Sequence, residues 1–233
     1  MLFSTPNDAL MGAVMSIGTL HTIPESPQAL VIGAGPTGSV AATVLARAGL
    51  STVLVERASF PRRKVCGGCL APAGIRALEA CGLGDRLHSI DPIPMRYLRL
   101  QSGGASSSLP IEPYYSLDRG RLDEVLAAGA VDHGAVFQDG VRATIKPDDH
   151  VLLEQGGDSL DCTPGIVVVA DGLAGTSLRE REGFEWVIND RSPIGLGAVI
   201  ECPLDQDDAE SIVMRCSKTG YIGTSRLGDG RLV

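Results

Sequence analysis

The sequence predicts an α/β fold in which a parallel sheet flanked by helices is interleaved with part of an antiparallel sheet. Two short apolar runs, Ala29–Ile32 and Ile166–Ala170, have the composition of central parallel strands, which are covered on both faces. A glycine-rich turn, a helical pattern and a second apolar strand ending at Glu56 follow the first run, which makes one βαβ unit. After Phe184, apolar and polar residues alternate as they do in antiparallel strands.

The composition is that of a folded, acidic protein. Hydrophobic residues make up 44% and charged residues 21% of the 233-residue chain, enough for a buried core. The net charge of −8, from 20 basic and 28 acidic residues, opposes nonspecific binding to nucleic acid or to an anionic membrane. We therefore expect no nucleic-acid partner, although the basic cluster Arg62–Lys64 is suited to contact a phosphate.

Two apolar segments of the sequence were considered as a transmembrane helix and as a signal peptide. Residues 29–46 are uncharged, but the glycines and the proline in their first half favour a strand, a turn and a helix over a spanning helix. Residues 9–20 lack a basic region and a small-residue cleavage site, so no signal peptide is expected. We predict a cytoplasmic protein without a transmembrane segment, and peripheral membrane contact stays open.

The six cysteines are expected to be reduced thiols that hold no metal, as is usual in cytosolic proteins. Only Cys66 and Cys69 have a motif-like spacing. No second pair of ligands follows to complete a zinc site.

Turn residues and apolar spacing predict the other elements. Residues 1–28 contain three prolines and little periodicity, so we expect a disordered N-terminal extension. Helices are predicted after the glycine turn up to Ala48, over Pro72–Ala80 and over Arg121–His133. Further strands are predicted at Thr52–Val55, at Tyr97–Gln101, within 135–162, and at Ile194–Glu201, Ser211–Cys216 and Tyr221–Leu227.

The glycine turn after the first strand has the spacing G-x-G-x-x-G. Gly33 permits a tight turn, Gly35 lets a pyrophosphate approach the backbone, and Gly38 lets the helix and the strand pack closely. The helix, with Pro36 and Thr37 in its first turn, offers N–H groups and the positive end of its dipole to phosphates. With a strand before it, a helix after it and an acid about 20 residues further on, the motif predicts a Rossmann-like dinucleotide-binding domain.

The acid is Glu56, at the end of the second strand. Its carboxylate is placed to accept hydrogen bonds from both ribose hydroxyls of an adenosine, and it would repel a 2′-phosphate. The site therefore suits FAD or NAD rather than NADP. The adjoining Arg57 is a further candidate contact to the cofactor.

A downstream strand that ends in Asp171-Gly172 indicates which dinucleotide is bound. With the glycine motif, this segment resembles the FAD-binding domain shared by aromatic hydroxylase-type flavin monooxygenases and geranylgeranyl reductases. The resemblance implies that Asp171 and Gly172 approach the pyrophosphate of FAD. The usual family pattern is DGxxSxxR, and this chain has one extra residue, which leaves the roles of Thr176 and Arg179 open.

Two more segments extend the resemblance. Leu117-Asp118-Arg119 resembles a helix entry at which these families place an arginine facing the cofactor, with Arg119 as the candidate and Arg121 as the alternative. The loop Phe60–Gly68 resembles the K-x-C-G-G loop of geranylgeranyl reductases, which implies that Cys66 and Gly67 lie near the flavin ring. The alternative for Cys66 is a small buried cysteine without reactivity.

Two family segments have no counterpart in the sequence. Tyr221–Arg226 replaces the reductase pattern Y-x-W-x-F-P without its Trp, Phe and Pro, and no G-D-A-type segment follows Asp171. The resemblance therefore implies a C-terminally truncated chain, in which Arg231–Val233 would begin an unpaired strand. We expect such a chain to bind FAD weakly or not at all and to be poorly soluble.

The resemblance implies an FAD-binding oxidoreductase that acts on a small organic or lipid-like substrate with NAD(P)H as electron donor. Residues 29–90 and 114–183 are expected to form the Rossmann-like FAD-binding domain, and 91–113 with 184–233 part of an antiparallel substrate-binding β-sheet domain. No catalytic residue is singled out, since the four histidines lack a motif context. A non-catalytic nucleotide-binding remnant and an NAD-binding module without flavin are the alternatives, and the oligomeric state stays open.

Overall fold

A computed structural model of the chain describes residues 19–173, 175–185, 187, 189, 192, 194–201 and 209–233. The chain divides into two compact units, Met1–Arg62 with Asp123–Asp190 and Arg63–Leu122 with Arg191–Val233. These boundaries differ from the expected domain boundaries, which follow residues 90, 113 and 183. The reason is that Cys69 and Leu70 pair with the strand that ends at Ser116, so both segments belong to the sheet of the second unit.

The first unit is built on a parallel sheet. Its strands are β1 (Ala29–Ile32), β2 (Thr52–Val55), β6 (Val136–Gln138) and β10 (Ile166–Val169), and its helices are α1 (Pro36–Arg47) and α4 (Arg119–Asp132), which enters the unit at Asp123. The strand order is β10-β1-β2-β6, with every pair parallel. All residues of β1 and β2 are buried. The predicted parallel sheet and the β1-α1-β2 unit are confirmed.

Both faces of this sheet are covered, as a parallel sheet requires. One face packs against α1 and α4 through small side chains, among them Ala42, Ala46, Ala127 and Ala130. The other face packs against an antiparallel sheet with the strands β7 (Arg142–Ile145), β8 (Val151–Gln155) and β9 (Asp158–Cys162). The core of the unit therefore lies on both sides of the parallel sheet.

The N-terminal segment contributes to this core. Leu20 lies in a 3₁₀ turn at Leu20–Thr22 and is 2% exposed, and Ile23 is buried in the same cluster as Val151 and Leu153. The sequence suggested a loose extension up to residue 28, because these two apolar side chains have no periodic neighbours. Residues 20–28 instead belong to the packed unit, and residues 1–18 lie outside the described residues.

The second unit contains a mixed sheet with two helices. Its elements are β3 (Cys69–Leu70), α2 (Pro72–Ala80), α3 (Gly84–His88), β4 (Ile93–Ser102), β5 (Ala105–Ser116), β11 (Ser211–Cys216) and β12 (Tyr221–Thr224). The strand order is β12-β11-β4-β5-β3. Neighbours are antiparallel except β4 and β11, which are parallel because a long connection rather than a hairpin leads to β11.

The start of α4 differs from the prediction. The helix begins at Arg119 rather than Arg121, because the Asp118 carboxylate accepts the N–H groups of Gly120 and Arg121 and caps the first turn. In the described ranges of the chain, no helix combines the length and the apolar character needed to cross a membrane.

Two expectations near the C-terminal end are wrong. Ile194–Glu201 does not form the predicted strand, and it makes a single bridge between Ile200 and Leu232. Arg231–Val233 does not carry an unpaired strand end, because Leu232 exchanges backbone hydrogen bonds with Ile200, and Val233 with Ser225. Both predictions were wrong for the same reason, because pairing between distant segments leaves no local sequence pattern.

Candidate functional site

The loops of the first unit that carry candidate residues meet at one edge of the parallel sheet. Because β10, β1 and β2 are adjacent and parallel, their carboxyl ends lie side by side. Asp171 follows β10, Gly33 follows β1 and Glu56 follows β2. Crevices at this edge are where open α/β sheets bind ligands. The structure thus brings together the three strand-end segments that the sequence analysis selected.

The glycines of the motif are required by close backbone packing. Gly33 has a φ of +102°, and a Cβ there would lie 2.5 Å from the carbonyl oxygen of Ala170. A Cβ on Gly38 would lie 1.8 Å from the carbonyl oxygen of Gly33. No larger residue fits either position, so the loop lies directly against the end of β10.

The first turn of α1 is left open to a ligand. Gly35 is the N-cap residue and gives the turn no side-chain cap, and Pro36 occupies the first helical turn. Thr37 is exposed, whereas Gly38 is buried. The N–H groups at the start of a helix have no acceptor within the helix, and the positive end of its dipole lies there. An anionic group is the natural acceptor for them.

Glu56 is more constrained than the sequence suggested. Its Oε2 accepts the N–H of Ala34, inside the glycine motif, at 2.9 Å, and its Oε1 accepts the N–H of Ala58 at 3.1 Å. The residue is 7% exposed. Oε1 still has a further lone pair for another donor. Glu56 therefore ties the glycine loop to β2, while the neighbouring Arg57 is exposed.

Sequence analysis missed a buried charge cluster beside Glu56. Nη2 of Arg62 lies 3.3 Å from Oε2 of Glu56 and 3.1 Å from Oδ2 of Asp123, which is on α4. The side chains of Arg62 and Asp123 are 3% and 1% exposed. We refer to Glu56, Arg62 and Asp123 as the buried charge cluster. The sequence marked Arg62 only as part of a basic cluster suited to contact a phosphate, and an aspartate on an amphipathic helix gives no signal of its own.

Asp171 is held by a serine that the sequence did not single out. Its Oδ2 accepts the hydroxyl of Ser177 at 2.7 Å and the N–H of Ser177 at 3.1 Å. Ser177 is buried, whereas Thr176 and Arg179 are exposed, and Arg179 lies 3.8 Å from Glu180. The segment after Asp171-Gly172 is one residue longer than the DGxxSxxR pattern, and Ser177 is the hydrogen-bond partner of the aspartate. Gly172 adopts a φ of +76° in this turn.

The second unit contains a cavity of about 230 Å³ that is lined by other candidates. Cys66 and Arg119 line it, together with the cationic side chains of Arg63 and Lys64. The cavity is also lined by Val65, Gly68, Leu117, Asp118, Gly120, Gly197, Ala198, Val199, Leu227 and Val233. Gly67 is exposed next to this lining. Of the two candidate arginines at the start of α4, Arg119 lines the cavity.

The two motif cysteines have different surroundings. The Cys69 thiol donates to Ser225 Oγ at 3.4 Å, and burial raises the pKa of Cys69, which keeps this thiol protonated at neutral pH. Cys66 lines the cavity instead. Across the described part of the chain, no three His, Cys, Asp or Glu side chains are grouped as metal ligands.

A comparison with protein families agrees with this geometry. The model of the family described as FAD binding domain matches residues 26–217. The chain belongs to this FAD binding domain family. The match contains both the glycine motif and the Asp171 segment.

Curated relatives of this FAD binding domain include two enzymes. Menaquinone reductase of Mycobacterium tuberculosis is 33% identical over 176 residues, which is 71% of this chain and 42% of the relative. Squalene monooxygenase of Rattus norvegicus is 27% identical over 182 residues, which is 70% of this chain and 31% of the relative. The chain therefore spans less than half the length of these relatives.

Solved structures confirm the fold of the domain. A flavoprotein/dehydrogenase of Cytophaga hutchinsonii has a TM-score of 0.73 at 21% identity, over 89% of this chain and 54% of that chain. A geranylgeranyl bacteriochlorophyll reductase-like protein of Thermoplasma acidophilum has a TM-score of 0.70 at 24% identity, over 89% of this chain and 55% of that chain. The predicted α/β, Rossmann-like architecture is confirmed.

The residues of the first unit fit FAD, the cofactor of the family. The uncapped start of α1 supplies donors for phosphate oxygens. The glycine backbone next to it carries no side chain that would keep a pyrophosphate away. The Glu56 carboxylate supplies an acceptor for ribose hydroxyls at the end of the neighbouring strand. The donor set therefore matches the adenosine diphosphate half of FAD.

Proposed function

We propose that the chain is the cofactor-binding part of an FAD-dependent oxidoreductase that acts on a small organic or lipid-like substrate. The observation that carries this proposal is the position of Glu56. Its carboxylate is buried at the end of β2 and hydrogen-bonded to the glycine motif, beside the open first turn of α1. A dinucleotide requires an acid for its ribose and an anion site for its pyrophosphate, and here the two lie at adjacent strand ends.

Each residue of the first unit has a defined role in this proposal. Gly33 and Gly38 shape the loop, and Gly35, Pro36 and Thr37 form the helix start that receives the pyrophosphate. Glu56 accepts the ribose hydroxyls, with Arg57 at the edge of the same site. Asp171 and Gly172 border the pyrophosphate from the end of β10, and Ser177 holds the aspartate in place.

The second unit is proposed to contribute to flavin and substrate binding. The resemblance of its loop to the K-x-C-G-G loop supports a position of Cys66 and Gly67 near the flavin ring. Arg119 is proposed to bind the cofactor. The cavity that Cys66 and Arg119 line supports these assignments within the second unit. Its mixture of cations and apolar side chains suits a group with a charged part and an apolar part.

The flavin supplies the two-electron chemistry, while the protein binds it, orients it and excludes water. We propose NAD(P)H as the electron donor. A lipid-like substrate is supported by the names of the relatives, which refer to menaquinone and squalene. A cytoplasmic location, supported by the acidic charge and the free cysteines, belongs to the same proposal and is tested by cell fractionation.

The proposal is tested by titrating the purified protein with FAD and, separately, with NAD, while flavin fluorescence and protein fluorescence are recorded. Because Glu56 and the open start of α1 are assembled at the sheet edge, we now expect saturable binding of FAD in place of the weak or absent binding that the sequence suggested. We expect Glu56→Ala to weaken it by about 2–4 kcal/mol, because a pair of charge-assisted hydrogen bonds is lost. Glu154→Ala is the matched control, since Glu154 is exposed on β8 of the same unit. Saturation by NAD and not by FAD would overturn the proposal, and unchanged FAD binding in Glu56→Ala would remove Glu56 from the site.

A further inference from the structure

The buried charge cluster has an unusual balance of groups. Two carboxylates, Glu56 and Asp123, share a single guanidinium, and Arg62 approaches both through the same nitrogen, Nη2. The guanidinium lies over the ring of Phe60, with Cζ 5.1 Å from the ring centroid. Nε, Nη1 and Nη2 of Arg62 make no hydrogen bond among the described residues, so the contacts of Nη2 with the two carboxylates are ion pairs. Arg62 is therefore held mainly by the two carboxylates and the aromatic ring.

Burial determines how Arg62 can act on a ligand. Its nitrogen atoms are shielded from solvent, and its side chain is 3% exposed. A ligand that arrives at the sheet edge therefore meets Glu56, and not the guanidinium behind it. Any effect of Arg62 on the ligand has to pass through the position and the charge of the Glu56 carboxylate.

We propose that Arg62 is a positioning residue for FAD binding, which holds the Glu56 carboxylate in place for the ribose, and that Asp123 anchors Arg62 from α4. The proposal rests on the proposed role of Glu56 in ribose recognition. The Arg62 cation, 3.3 Å from Oε2, offsets part of the cost of burying the Glu56 carboxylate. An ionised carboxylate is an acceptor only, which is the character that ribose hydroxyls need.

The second carboxylate has its own part in this arrangement. Without Asp123, the guanidinium would be free to rotate and form a bidentate ion pair with both carboxylate oxygens of Glu56. In the structure Nη2 contacts Asp123 as well, and the ion pair of Arg62 with Glu56 involves Oε2. Oε1 of Glu56 keeps a lone pair for a hydroxyl donor. The cluster has one more negative charge than positive, which also disfavours a ligand with a 2′-phosphate.

The test is a double-mutant cycle read out as FAD affinity. The parent, Arg62→Met, Glu56→Gln and the combination of both are titrated with FAD, and thermal unfolding is recorded without FAD. Arg142→Met is the matched control, because Arg142 is exposed on β7 of the same unit. We expect Arg62→Met to weaken FAD binding about tenfold, the effect of losing one charge-assisted contact. In the Glu56→Gln background the same change should have almost no effect.

Different outcomes separate the two proposals. Equal weakening by Arg62→Met in both backgrounds overturns the positioning role, because Arg62 would then act independently of Glu56. No weakening in either background also overturns it. A parent protein that does not bind FAD would contradict the proposed function itself.

The variant Arg62→Met leaves two buried carboxylates without a cation and can fail to fold. The cycle is then repeated in the Asp123→Asn background, which removes one of the buried negative charges. We expect the unfolding temperature of Arg62→Met/Asp123→Asn to return toward that of the parent, while FAD binding stays weaker than in Asp123→Asn alone. Parent-like FAD affinity in Arg62→Met/Asp123→Asn would overturn the proposal.

Discussion

The acids at the carboxyl edge of the parallel sheet are held by donors of the protein itself. Glu56 accepts two backbone N–H groups, and Asp171 accepts the hydroxyl and the N–H of Ser177. Groups that are already in place lose less conformational freedom when a ligand binds. The site is thus preorganised at the level of its individual side chains.

The partner of Asp171 provides a test of this arrangement. Ser177→Ala removes the 2.7 Å hydrogen bond from the hydroxyl and leaves only the one from the backbone N–H. We expect FAD binding to weaken by about 0.5–1.5 kcal/mol, since the carboxylate beside the pyrophosphate becomes more mobile. FAD titration of both proteins measures the change.

Thr176→Ala is the control for this variant, because Thr176 is exposed and adjacent. It should leave FAD affinity unchanged. The opposite result would be weaker FAD binding in Thr176→Ala and unchanged binding in Ser177→Ala. It would mean that Thr176, and not Ser177, corresponds to the serine of the DGxxSxxR pattern.

Among the helices and strands, the junction of β1 and α1 depends on two glycines for different reasons. Gly33 has a positive φ and no space for a Cβ. Gly35 has a φ of −77° and a ψ of −178°, an extended conformation that any residue adopts. The first glycine is therefore needed by the fold, whereas the backbone conformation of the second does not itself require glycine.

This difference predicts opposite behaviour for two matched variants. Gly35→Val should remain folded by circular dichroism but fail to hold FAD, because its branched side chain lies where the pyrophosphate is expected. Gly33→Val should lose stability itself, since its Cβ would lie 2.5 Å from a backbone oxygen. Equal flavin occupancy in Gly35→Val and the parent would contradict the assigned geometry.

Elements with a strong local pattern were predicted well from the sequence. The helix at Pro72–Ala80 and the strand at Ser211–Cys216 have the predicted bounds. The helix α3 and the strand β3 were missed, because a five-residue helix and a two-residue strand are too short to show periodicity. The strand predicted at Ile194–Glu201 is absent because alternation alone does not supply a pairing partner.

For the protein as a whole, the N-terminal segment is the clearest case in which packing overrides the local pattern. Leu20 is 2% exposed within the core cluster of the first unit. We expect Leu20→Ala to lower the free energy of unfolding by about 2–5 kcal/mol, through lost burial and a residual cavity. Urea denaturation followed by circular dichroism measures this loss.

Leu173→Ala is the comparison, because Leu173 is 93% exposed in the same unit. It should change the free energy of unfolding by less than about 0.5 kcal/mol. Equal stability of Leu20→Ala and the parent would mean that the segment before β1 is not needed by the core.

The sequence alone was sufficient to predict the β1-α1-β2 unit, the glycine loop and the acid at the end of β2, whereas the aspartate after β10 was selected through the family resemblance. These features depend on residues that are close in the chain, where periodicity, glycine and turn chemistry act directly. Only the tertiary structure showed that Arg62 lies between Glu56 and Asp123, that Ser177 holds Asp171 and that Leu20 is buried. Such contacts join residues from separate elements. They arise from the sheet order and the packing of its faces, which a local pattern does not encode.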